Sequence, residues 1–160
     1  MTQRHVKAAV VLGSLATLVV GGFATAPNTT ADMSPSEIVA DRQRLMKLNG
    51  ASWLDAQAKL KAGNIEGIAV NAETMALNAR QIPALFPPGS LTADSKAKPE
   101  IWQKWSEFEA DAKNLQVLAE KLRDAAKSKD AAATEAIMKD FGREACGSCH
   151  TPFRVPPPRS

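Results

Sequence analysis

Two residue types that usually carry metal and redox chemistry are scarce in this 160-residue chain, which has two cysteines and two histidines. So few ligands exclude a disulfide-stapled scaffold and any extended array of structural zinc sites. Alternating apolar and polar stretches are also missing, and with them the pattern of β-strands. No basic run with interleaved aromatics occurs, so nothing argues for nucleic acid. No carboxylate pair stands apart from the helical surfaces, which removes the commonest arrangement for acid–base hydrolysis.

The charge excess is also smaller than it looks. The formal net charge is +3, but Arg4 and Lys7 belong to a segment that reads as an export signal. That segment has a short basic start, an uncharged run "AAVVLGSLATLVVGGFATA" and small polar residues after it. Ala24-Thr25-Ala26 is followed by Pro27, so cleavage is expected after Thr29-Thr30-Ala31, making residues 1–31 the signal peptide and the product periplasmic. The competing reading is an uncleaved anchor, disfavoured by Gly13, Gly21 and Gly22. The remaining chain carries 18 basic and 17 acidic residues, a net charge of +1. A segment of this length suits one domain with one core.

From Ser34 onward the chain is rich in strong helix formers. Ser34, Pro35 and Glu37 form the N-cap, first-turn and capping-box positions of a helix running to about Ala62. Gly63-Asn64 breaks it. A second helix shows Ile68, Ala72, Met75, Ala79 and Ile82 on one face and ends at Pro83. A loop follows, and Pro99 opens a third helix whose stripe runs Ile101, Trp105, Phe108, Ala112, Leu115, Ala119 and Leu122. A fourth spans about Asp130 to Arg154, leaving a proline-rich tail at 155–160 that is expected to be disordered. The fold class is all-α, an antiparallel four-helix bundle over residues 32–154.

Both cysteines and one histidine fall within five positions, Cys146-Gly147-Ser148-Cys149-His150. A thioredoxin-type dithiol needs a strand–turn–helix setting, and a zinc site needs a fourth ligand. Covalent haem attachment uses all three residues. On a helix, the i and i+3 sulfurs share a face and can bind the two vinyl groups of one porphyrin. His150 projects from the same face as proximal iron ligand.

Helix rise selects a residue for the opposite axial position. At about 1.5 Å per residue, His150 lies roughly 30 Å along the fourth helix and Met46 about 24 Å from the same pole. Met75 is only about 16 Å up the second helix, and Met138 lies below the histidine on its own helix. Methionine also fills core gaps, which is the competing reading for Met46.

The segments "RQRLMKLNG", "IPALFPPGS…KPEIWQKWSEF" and "CGSCHTPFR", in that order, resemble the class II c-type cytochromes, the cytochrome c′ family, and more closely their low-spin Met/His-ligated members. The resemblance spans essentially the whole segment after the signal. It implies one covalently attached haem c per chain, held by Cys146, Cys149 and His150, and electron-transfer or diatomic-gas chemistry without substrate turnover. It also places the family's distal residue at the turn holding Met46. Arg42 corresponds to an arginine carried beside the haem, which could pair with a propionate; a solvated surface charge is the alternative. Arg154 matches the family's basic residue after the motif. Trp53, Trp102, Trp105, Phe108 and Phe141 are candidates for porphyrin contact or core packing. Expected partners are redox proteins or a diatomic gas, as monomer or homodimer, with no nucleic acid and no membrane association beyond the signal.

Overall fold

The computed structural model describes residues 33–156; the expected signal peptide and its cleavage site lie outside them. Helix α1, Pro35–Lys61, begins with the full capping box. The Ser34 amide donates to Glu37 Oε2 at 2.8 Å, and the Glu37 amide donates to Ser34 Oγ at 3.4 Å. Gly63, at φ 71°, ends it in the left-handed conformation that glycine adopts without a Cβ clash.

Helix α2, Ile68–Gln81, buries the expected face of Ile68, Ala72, Met75 and Ala79. Its alanines let it pack closely along α4, and this pair makes the most extensive helix–helix contact among the described residues. A single 3₁₀ turn, Pro83–Leu85, leads into the loop.

The third helix of the bundle is not continuous from Pro99. A one-turn helix α3, Glu100–Gln103, is separated from α4, Trp105–Lys127, by Lys104 at φ −122°, ψ 45°. The offset accompanies a tertiary contact: Trp102 Nε1 donates to the Phe86 carbonyl at 3.0 Å, while Trp105, in the first turn of α4, lies against Phe108 of the same helix at 5.5 Å between ring centroids. Beyond the break the stripe is buried as its spacing requires, with Phe108, Ala112, Leu115, Ala119 and Leu122 inside.

Asp130 caps the fourth helix, its carboxylate accepting from the Ala133 amide at 2.9 Å. This helix also departs from the expected regular course. Helix α5, Ala131–Phe141, passes through a widened π-helical turn, Gly142–Gly147, into α6, Ser148–Phe153. Past α6 the backbone folds onto the loop: Arg154 bridges Ala97, the Lys98 amide donates to the Phe153 carbonyl at 2.9 Å, and Val155 donates to Lys96 at 2.8 Å. The segment read as tail therefore begins inside the fold, while residues 157–160 lie outside the described part.

The assembly is an antiparallel four-helix bundle of α1, α2, α3 with α4, and α5 with α6. Phe108, Phe141, Ile68, Met75, Ile101 and Leu122 are its largest fully buried apolar side chains. Truncating one such residue, as in Leu122→Ala, removes about 2–5 kcal/mol.

Candidate functional site

A cleft of about 470 Å³ opens between α1, the central loop and α6, within the size range of small-molecule and cofactor sites. Helix α1 contributes Val39, Arg42, Gln43, Met46 and Lys47, one helical face at steps of three, one, three and one. Ile82, Phe86, Ile101, Phe108 and Phe153 supply apolar surface from four other parts of the fold, and α6 brings Cys149 and His150. Thus Cys149 and His150 at one end of the sequence and Met46 near the other meet in a single cavity, whereas Cys146 does not line it and sits in the turn behind.

Met46 is only half-buried, whereas Met75 and Met138 are 1% and 5% exposed and packed in the core. The height argument from helix rise therefore picks the methionine that reaches the cleft. Of the five aromatics considered, Phe108 lines the cavity. Trp53 stacks on Phe141 at 4.9 Å between centroids, a core contact, and Trp102 serves the loop.

Both thiols are unbonded and partly buried. Burial pushes the Cys146 thiol above its ordinary pKa. Burial, then the charge of Asp111 and the neighbouring thiol, push Cys149 up to about 12. Burial first, and Arg154 second, lower the pKa of His150, favouring the neutral imidazole that a metal ligand must be. Two attachable sulfurs, a neutral imidazole, a thioether and an apolar cavity of this volume fit haem c.

The π turn sets how the motif is presented. It carries Cys146, and its widened backbone shows in the Ser148 amide donating to the carbonyl five residues back, at Arg143. Asn114 of α4 donates through Nδ2 to the Glu144 carbonyl at 2.7 Å, pinning the turn from behind. One helical turn earlier, Asp111 sits beside Ser148 and Cys149, and burial raises its pKa. Neither residue was singled out by the sequence; position on the polar flank of a regular helix gives no local signal.

Arg42 is 5% exposed, so the surface-charge reading is overturned. Its Nε donates to the Leu85 carbonyl, Nη1 to the Ser90 carbonyl at 2.9 Å, and Nη2 to Ser90 Oγ. The guanidinium carbon lies 4.1 Å from the Phe86 ring centroid. Burial lowers its pKa to about 10, leaving it protonated at neutral pH. Arg42 thus fastens the central loop over the cleft, with two of its five N–H groups outside these bonds. Arg154 also lines the cavity, exposed at its mouth.

A family model described as Cytochrome C' matches residues 37–154. A cytochrome c-556 from Agrobacterium tumefaciens (strain II Chrys) is 34% identical over 121 residues, covering 73% of this chain and 96% of that protein. A cytochrome c' from Pararhodospirillum photometricum is 33% identical over 125 residues, covering 76% and 98% respectively. Among solved structures, a nitric oxide complex of a cytochrome c prime variant from Alcaligenes xylosoxidans superposes with a TM-score of 0.69 at 25% identity, covering 78% of this chain and 98% of the other. Matched along its whole bundle and bearing the attachment motif in the place that the cleft requires, the chain belongs to the cytochrome c′ family of class II c-type cytochromes and is a haem-c protein.

Proposed function

We propose that this protein is an exported, periplasmic electron carrier whose iron is held by His150 on one face and Met46 on the other, and that it turns over no substrate. Haem c, when bound, supplies a one-electron ferrous–ferric couple. Cys146 and Cys149 would tether it, and His150 would offer a neutral ring nitrogen to the metal. Met46 would offer a thioether from α1, a ligand that raises the reduction potential. Arg42 holds the loop down so that Phe86 and Ile82 keep that side apolar. The observation that carries this reading is the meeting of Met46 and His150 in one cleft, while Met75 and Met138 are spent on packing.

The absence of carboxylates from the cleft wall supports electron transfer over acid–base turnover. No helix among the described residues is long and apolar enough to cross a membrane. Its partners are other redox proteins, met in short-lived encounters.

A second reading has support of its own. The cleft wall is strongly apolar, and a structural neighbour is a nitric oxide complex. With Met46 off the iron, the same cavity would take a diatomic gas. The optical spectrum of the oxidised holoprotein separates the two. A low-spin spectrum with the far-red band of a methionine sulfur on ferric haem is expected. Met46→Ala should abolish that band and confer carbon monoxide binding on the reduced form. A high-spin wild-type spectrum, or unchanged coordination in the variant, would overturn the assignment.

A further inference from the structure

We infer that the mouth of the cleft is a docking face for an acidic surface on the redox partner, an inference that rests on the electron-carrier reading above. The cleft lining includes Arg42, Lys47, Lys96 and Arg154 but neither aspartate nor glutamate. Lys98 lies alongside, its Nζ donating to the Thr151 carbonyl at 3.3 Å.

What sets these cations apart is that unpaired ones gather at one opening. Arg44, Lys59, Arg80, Lys104, Arg123, Lys129 and Arg143 all pair with carboxylates within 4 Å. Among the described residues Lys47, Lys96, Lys98 and Arg154 have no such partner; Lys61, Lys113, Lys121, Lys127 and Lys139 also lack one, but none of these lines the cleft. The carboxylates nearest to them in the chain do not balance the rim. Asp41 on α1 is taken by Arg44 at 2.6 Å, while Asp94 in the loop and Glu100 just after it are the other acids close in the chain. Set against Asp94, Glu100 and the two carboxylates that a bound haem would add, the five cations Arg42, Lys47, Lys96, Lys98 and Arg154 keep a small excess. Because the chain after residue 31 is almost neutral overall, this excess makes the molecule electrically lopsided.

The arrangement suits a protein surface rather than a small anion. The cations come from three separate places, α1, the loop and the end of α6, and Lys47, Lys96 and Arg154 are exposed around a mouth. Unpaired exposed charge contributes little to stability. It does create a field that steers an oppositely charged partner and is screened beyond about 10 Å at 0.1 M salt.

The test uses the holoprotein and two small reagents of opposite charge. Electron exchange with anionic hexacyanoferrate and with cationic hexaammineruthenium is followed by stopped flow as salt is raised. The hexacyanoferrate rate should fall at least about threefold between about 10 mM and 500 mM salt, and the ruthenium rate should not fall. Added poly-glutamate should slow the hexacyanoferrate reaction, and poly-lysine should not. In a Lys47→Glu, Lys96→Glu double variant, whose side chains make no hydrogen bonds that hold the fold, the salt dependence should vanish or invert. Flat profiles for both reagents, or an unaltered profile in the variant, would overturn the inference. That failure is separable from failure of the carrier reading, because a high-spin spectrum signals the latter whatever the salt profile.

Discussion

The two walls of the cleft are built on different principles. The wall that carries the attachment motif is fixed by main chain: a π turn within a helix, a carbonyl pinned by Asn114, and a short backbone ladder joining residues 96–98 to 153–155. The opposite wall is one face of α1, where Met46 is half-buried and the loop above it is held by side chains, chiefly Arg42 and Trp102. The first wall allows no exchange of its chemistry without refolding the turn. The second can change its ligand by one substitution while the bundle stands. Such an asymmetry, constant attachment and variable distal side, would let one bundle serve either of the two functions proposed above.

Substitutions that break this contrast can be ranked. The largest effect is expected on the attachment side. Cys146→Ala with Cys149→Ala should leave the exported chain without the added mass of one haem in mass spectrometry, whatever residue occupies position 46. Next comes the loop latch. Arg42→Leu leaves the Leu85 and Ser90 carbonyls without their donor, and each unsatisfied buried group costs about 1–3 kcal/mol. Thermal unfolding of the holoprotein should shift down accordingly, with covalent haem content unchanged.

Asn114→Leu should cost less, about 1 kcal/mol, since the Glu144 carbonyl is close to water. Its signature is qualitative: a fraction of molecules with one thioether instead of two, read from the pyridine haemochrome spectrum. The smallest effect lies far from either wall. The hydroxyl and then the amide of Ser34 hold the Glu37 carboxyl below the ordinary glutamate value. Its folded-state pKa is thus depressed. The capping contribution is complete above the unfolded-state pKa and is lost as pH falls through the folded one. Glu37→Gln should flatten the acid limb of the stability profile and leave both haem ligands untouched.

The features legible in the sequence were those with a local or periodic cause. The capping box at Ser34, the glycine stop at Gly63, the α4 stripe and the i, i+3, i+4 grouping of the motif each follow from short-range geometry. Met46 required only one further step, a rise per residue applied to two antiparallel helices. What stayed hidden has tertiary causes. Lys104 breaks a helix without glycine or proline, where Trp102 is engaged by the loop carbonyl of Phe86. The widened turn at 142–147 is supported by Asn114, which no sequence spacing links to the motif. The burial of Arg42 depends on Leu85 and Ser90, more than forty residues away.

The pairing of residues 153–155 with the loop has a consequence for assembly. The cavity is closed only when the sulfur-bearing segment has docked on residues 96–98, a contact that spans more than fifty residues of chain. Closing so long a loop costs more entropy than pairing α1 with its neighbour α2, so the cleft is sealed by the least local contact in its wall.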